Sequence, residues 1–328
     1  MKIGDVKIEE IFNNLNLEIK KIIKIDTYSN FVAKVETSSG NYFFKVFTNK
    51  EESKMGLKLS KLYPLLSKKK VPVPEVLEYG ESLEIIPYPY LIITEIKGKI
   101  LKDEIADFKN SELKSFYYNF GKIIAEVHSI TFDKFGETYD GETVEGFSEI
   151  KGKGPYGSWK EMHGEIINSR LKFLEESYFD DLIEPIRKWF ESNKGLIDYD
   201  VVPRLLHDDL NQKNILIENK KISGIIDFDN AFVGHNEEEL MRTETANFLN
   251  NIELKNAFFE GYEEIIPLDK GYEKRRPFYY LSRLLVHIEC IVEYGKDYVK
   301  DVEKEQKSVR EKIMKILKDG SMEFDKND

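Results

Sequence analysis

The chain has 328 residues, 41% of them hydrophobic, which is enough for two domains with sizeable cores. A formal net charge of −11 and a pI near 5.3 argue against a nucleic-acid partner, because binding phosphate backbones requires a cationic face. No run reaches the roughly 18 apolar residues of a membrane span, the first residues lack the apolar stretch of a signal peptide, and Cys290 is the single cysteine, so a cytoplasmic chain with no internal disulfide and no membrane partner is expected.

The first part is strand-rich. Phe31–Thr37 and Asn41–Phe47, separated by Ser38-Ser39-Gly40, read as two strands joined by a glycine-containing turn, with Lys45 between aromatic and β-branched neighbours in the second. A helix is expected over residues 49–66, where Glu52, Met55, Leu59 and Leu62 fall near one face. It ends at Lys68-Lys69-Lys70, where cations favour a helix C-terminus. Val71-Pro72-Val73-Pro74 is an extended connector, since each proline forces its predecessor out of the helical region. A strand over residues 89–95 follows, closed by Gly98. Leu113, Phe116, Tyr117, Phe120, Ile123, Ile124 and Val127 recur at helical spacing and predict an amphipathic helix ending at His128, read as a structural histidine. Residues 135–159 are glycine-rich and aromatic, a loop bearing Trp159, and further core helices are expected around Phe179–Phe190 and Arg275–Leu281.

The most informative stretch is His207-Asp208-Asp209-Leu210-Asn211-Gln212-Lys213-Asn214, followed after two apolar runs and a hairpin-like Glu218-Asn219-Lys220-Lys221 by Ile225-Ile226-Asp227-Phe228-Asp229. It presents a carboxylate, Asp209, a carboxamide, Asn214, and a second carboxylate, Asp227, at a strand end. Phosphoryl transfer needs such a set: a base to orient the attacking hydroxyl, and an amide oxygen with a carboxylate to hold the Mg²⁺ that neutralises the nucleotide phosphates. An ATP-dependent kinase is the reading. Asp208 and Asp229 are taken as solvated neighbours of these positions.

These strings resemble the aminoglycoside phosphotransferase and choline kinase family, whose patterns run H-x-D-x-x-x-x-N and apolar-apolar-Asp-Phe/Trp-x-x-Ala, here with Ala231 as the trailing alanine. The resemblance implies an α+β, two-lobed protein-kinase-like fold. Residues 1–96 would form a small β-rich nucleotide-binding lobe, and residues 97–328 a larger, mainly helical lobe for catalysis and acceptor binding. It further implies that Asp209 is the catalytic base, Asn214 and Asp227 bind Mg²⁺, and His207 supports the loop. Lys45 would reach the α- and β-phosphates of ATP with a helix glutamate as its partner, Glu51 or Glu52, with Glu52 preferred. A Ser29-Asn30 turn would cover the phosphates in place of a glycine-rich loop, and the backbone around Thr94 and Ile96 would meet the adenine edge with Ile93 behind it.

The acceptor is left open between classes. Glu237, Glu238, Glu239 and Glu244, with Glu260, Glu263 and Glu264 beyond them, would line a pocket for a cationic amine such as an aminoglycoside, or else form a solvated helix face. A neutral sugar or a homoserine-like alcohol is the alternative acceptor. A protein kinase is disfavoured because no A-P-E string follows Asp227, and a non-catalytic nucleotide-binding protein because Lys45, Asp209, Asn214 and Asp227 are all present. Oligomeric state is not legible.

Overall fold

The computed structural model describes residues 4–26, 30–49, 54–81, 84–248 and 251–322. The chain divides into two compact units, each assembled from separated stretches. The first comprises residues 1–116, 138–143 and 212–230, and the second residues 117–137, 144–211 and 231–328.

The first unit is built on a five-stranded antiparallel sheet. Its strands are β1 (Ile19–Ile25), β2 (Phe31–Thr37), β3 (Asn41–Val46), β4 (Val76–Gly80) and β5 (Tyr90–Thr94), in the order β1-β2-β3-β5-β4. The expected hairpin is β2–β3, with Phe31 opposite Val46 and Glu36 opposite Asn41. Alternation then sorts the side chains of β3. Phe44 and Val46 face a core with Ile8, Ile11 and Phe12 of the helix α1 (Asp5–Asn14), so Lys45 points to the opposite face of the sheet. The helix expected after β3 is α2 (Met55–Lys68), and it runs through Pro64.

The same unit holds a three-stranded sheet in which β6 (Lys99–Ile100) pairs with β8 (Ile215–Glu218), and β8 with β9 (Lys221–Ile225). The β8–β9 turn has Asn219 and Lys220 at φ 51° and 61°, as a two-residue hairpin with right-handed strand twist requires. Two glycines permit close approaches here. A Cβ on Gly98, at φ 142°, would lie 2.7 Å from the Ile217 carbonyl oxygen, and a Cβ on Gly224 would lie 2.7 Å from the Ile96 side chain.

The second unit is mainly helical. The strand β7 (Arg204–Leu206) pairs with β10 (Phe232–Gly234), placing Leu206 opposite Phe232. Around them lie the later part of α4 (Asn110–His128), then α5 (Trp159–Leu171), α6 (Ile183–Asn193), α7 (Asn236–Asn247), α8 (Ile252–Glu263), α9 (Tyr272–Tyr294) and α10 (Val302–Asp319). The short α3 (Leu101–Glu104) belongs to the first unit. Trp159, expected in a loop, is instead the first residue of α5. It is buried, with its indole N–H donating to the Tyr279 hydroxyl at 3.1 Å. Among the described residues no helix is long and apolar enough to cross a membrane.

Candidate active site

In the first unit the chain leaves β9 through Ile226 into Asp227-Phe228-Asp229. The Ile226 N–H donates to the Asn214 carbonyl oxygen at 3.0 Å, which ties the residue before Asp227 to the residue before β8. Asp227 sits at φ 70°, an uncommon conformation for a residue with a Cβ and one that concentrates at functional positions. Phe228 anchors the turn. It is fully buried with its ring edge-on to Tyr63 of α2, at 6.1 Å between centroids. An amide oxygen and a carboxylate oxygen are hard donors of the kind that suit Mg²⁺. Among the described residues no cluster of three or more His, Cys, Asp or Glu side chains could hold a metal by itself, so the donor set fits a cation whose remaining ligands are phosphate and water.

Asp229 is not a solvated neighbour. Its carboxylate forms an ion pair with the Lys45 ammonium, both side chains being largely enclosed, and its carbonyl accepts a 3.0 Å hydrogen bond from Lys58. Lys58 lies on α2 and is 1% exposed, an unusual burial for a lysine. Two cations from separate elements therefore converge on one residue of the Asp227-Phe228-Asp229 turn. Sequence reasoning missed both roles; the available signal was the isolated Lys58 on the apolar face that also carries Leu59 and Leu62. Glu51, Glu52 and Ser29 lie outside the described residues. Asn30 is buried immediately before β2.

The expected adenine-contacting residues sit at the end of β5. Ile93 pairs with Phe43 on one side and with Val76 on the other. The N–H of Thr94 donates to the Glu75 carbonyl at 2.9 Å, and its hydroxyl accepts from the Glu75 N–H at 2.9 Å. Glu95 fixes the turn by accepting from Lys34 at 2.6 Å and from Asn41 at 2.7 Å. Ile96 packs on Gly224.

In the second unit, β7 delivers His207, Asp208 and Asp209. The Asp209 N–H donates to Nδ1 of the buried His207 at 3.1 Å, so His207 does support the loop. A stronger restraint comes from α7. Glu239, fully buried, accepts from the N–H groups of His207 and Asp208 at 3.0 and 2.6 Å, and from His128 Nε2 at 2.8 Å. Burial alone would raise the Glu239 carboxyl, but these donors outweigh it and hold the group below the usual carboxylate range. The clamp accommodates Asp208 at φ 58°. His128, at the C-terminal end of α4, contacts the Tyr262 hydroxyl through Nδ1 at 2.8 Å, in keeping with a structural histidine.

Arg242, one turn along α7 from Glu239, grips the loop's carboxylates. Its guanidinium forms ion pairs with Asp208, at 3.1 Å, and with Asp209. Asp208 is thus enclosed rather than solvated, and burial raises its carboxyl. The remaining α7 glutamates neither line an acceptor pocket nor form a solvated face. Glu237 accepts two hydrogen bonds from Arg275, Glu238 lies beside Arg170 and Ser282, and Glu244 is held by Tyr272, Arg276 and Lys255. All are under 4% exposed. Further along, Glu264 is exposed and engaged by Lys122 and Tyr118. A readable signal existed for these pairs, since Arg275 and Arg276 stand near the start of α9, just ahead of the apolar run Phe278-Tyr279-Tyr280-Leu281.

A family model described as "Phosphotransferase enzyme family" matches residues 22–278. Protein-ribulosamine 3-kinase of Arabidopsis thaliana, a chloroplastic protein, is 28% identical over 197 residues, which cover 58% of this chain and 56% of that one; the chain thus matches little more than half of that relative. A probable ketoamine kinase of Vibrio vulnificus is 25% identical over 268 residues, 80% of this chain and 83% of that one. A solved structure of a thermostable mutant of the aminoglycoside phosphotransferase APH(4)-Ia, in ternary complex with AMP-PNP and hygromycin B, shares the fold at TM-score 0.68 and 16% identity, covering 93% of this chain and 98% of that one. The fold is α+β, two-lobed and protein-kinase-like, strand-rich in its N-terminal part and mainly helical beyond it.

Proposed function

Because the chain belongs to the phosphotransferase enzyme family and is by that kinship a small-molecule kinase, we propose that it transfers the γ-phosphate of ATP to a hydroxyl of a ketoamine, a sugar joined to an amine. The observation that carries the catalytic part is the loop at residues 207–209, whose two amides are fixed by the buried Glu239 and whose carboxylates are gripped by Arg242. A base held this firmly needs no reorganisation to accept a proton. Asp209 takes the hydroxyl proton as the oxygen attacks phosphorus. Asn214 and Asp227 would hold Mg²⁺, which supplies charge neutralisation of the phosphates when bound. Lys45, stored on Asp229, reaches the α- and β-phosphates. With the Thr94 N–H and hydroxyl committed to Glu75, the backbone of Ile96 is left to meet the adenine edge, with Ile93 behind it. Asn30, just before β2, would help to cover the phosphates.

The ketoamine class is favoured over an aminoglycoside on two grounds. The relatives are named for ketoamine or ribulosamine phosphorylation, and the glutamates that would have attracted a polycation are consumed by internal arginines. The test is ATP consumption and product mass with a fructosyl amine, an aminoglycoside, homoserine and a free sugar as acceptors. A mass gain of one phosphate on the fructosyl amine alone, or with by far the highest kcat/KM, is expected. Preference for homoserine or the aminoglycoside would replace this acceptor class.

A further inference from the structure

A second-unit cavity of about 460 Å³ opens between α7, α9 and α10, within the range of small-molecule sites. Its wall includes Thr245, Arg283, His287, Tyr298, Glu305 and Lys312. Thr245 is three residues from Arg242, on the same helix, so the cavity begins one turn from the guanidinium that grips Asp209. The wall's carboxylate is already answered: His287 bridges Glu305, at 2.8 Å, and the Tyr298 hydroxyl, at 3.0 Å. The wall's arginine is not. Among the described residues no carboxylate lies within ion-pair distance of Arg283, although nearly every other arginine in this unit has one. Its surroundings are crowded with protein, and burial together with the neighbouring Arg242 pushes its guanidinium down to about 10, Arg170 adding to the effect and the more distant carboxylates of Asp208 and Glu238 opposing it. Arg283 is partly exposed and stands in the cavity wall. In a chain of net charge −11, this ligand-sized cavity presents an arginine that is in no ion pair among the described residues, and a lysine, in one wall.

We propose that this cavity binds an oxyanion of the acceptor, a carboxylate or a phosphate ester, between Arg283 and Lys312, while the acceptor's hydroxyl lies at Asp209. The planar guanidinium fork matches either group, and the Tyr298 hydroxyl stands in the same wall. The inference rests on the hydroxyl-kinase reading above and narrows its acceptor to one with an acid group in addition to the sugar.

Paired acceptors test it. Fructosyl-glycine and fructosyl-glycinamide differ only in the carboxylate, and fructosamine 6-phosphate supplies the phosphate ester instead. Calorimetry on the full chain, independent of turnover, should show one of the anionic compounds binding about tenfold or more tightly than the amide, with that advantage shrinking as salt rises. Which of the two gains identifies the oxyanion. Arg283→Gln should abolish the advantage and Arg283→Lys should retain part of it, while thermal melting reports whether each variant is folded. If Arg283→Gln does not fold, Lys312→Gln on the cavity rim carries the same expectation with a smaller loss. Equal affinities for charged and neutral compounds, or no binding of either, overturn the inference. Binding that depends on Arg283 without phosphorylation upholds it and sinks the kinase acceptor reading instead.

Discussion

Two charged pairs set the state of the reacting groups. Arg242 spans Asp208 and Asp209, and Lys45 rests on Asp229. If Asp209 is the base, Asp209→Asn keeps the shape and most of the hydrogen bonding but removes the proton acceptor. Its kcat should fall roughly 100-fold or more while nucleotide affinity is unchanged. Arg242 acts through Asp209, so its effect should follow geometry rather than charge alone. A lysine cannot span two carboxylates as a guanidinium does, and Arg242→Lys should lower kcat about tenfold with little change in the KM for ATP. Steady-state kinetics separate these outcomes. An Arg242→Lys enzyme with full turnover would show that the ion pair merely stores the carboxylate.

At the scale of elements, α7 decides how the loop before it is held, and its consecutive glutamates titrate in opposite directions. Glu239 has its folded-state value below the unfolded one, so its stabilisation is fully present above about pH 4.3 and is lost as pH falls through the lower folded value. Glu238 is buried with one long hydrogen bond, from the Ser282 hydroxyl at 3.3 Å, its other oxygen lacking any hydrogen-bond partner, and burial pushes its carboxyl up to about 7. The native state then holds a proton that the unfolded state has released, so stability declines by on the order of 3 kcal/mol as pH climbs from about 4.3 to 7. Glu238→Gln should therefore flatten that decline and match or exceed the wild type at pH 8. Glu239→Gln should lose about 3 kcal/mol there, because an amide cannot accept from three donors at once. Urea unfolding at pH 5 and pH 8 measures both. Equal damage from the two substitutions at pH 8 would mean that Glu238 is ionised and paired as Glu239 is.

Across the whole molecule, what the sequence made legible was local. The β2–β3 hairpin, α4 and the β8–β9 turn each follow from a short-range pattern of apolar alternation, helical spacing or turn-forming residues. What it concealed were pairings across distance. Glu237 meets Arg275 and Glu244 meets Arg276 across more than thirty residues, so a helix that looks solvated in isolation is buried once α9 brings its arginines. Lys45 and Lys58 meet at Asp229 by the same kind of long-range closure, invisible to a reading confined to neighbours.

That closure governs the last expectation. Lys45, Asn214, Asp227 and Asp229 all belong to one compact unit, yet they come from chain segments separated by more than a hundred residues. If Mg·ATP binds there, the ligand bridges those segments and must stabilise the unit as a whole. At a ligand concentration of about 100 times Kd the gain is roughly 2.7 kcal/mol, which for a chain of this size raises Tm by roughly 4 °C. Asp227→Ala should abolish the rise by removing a metal ligand, chelation of divalent cations should abolish it in the unmodified protein, and Asp209→Asn should leave it intact because the base does not hold the nucleotide. Thermal melts with and without Mg·ATP distinguish these cases. An Asp227→Ala protein that gains as much Tm as the wild type would remove Asp227 from the nucleotide site, and a rise that survives chelation would remove the metal from it.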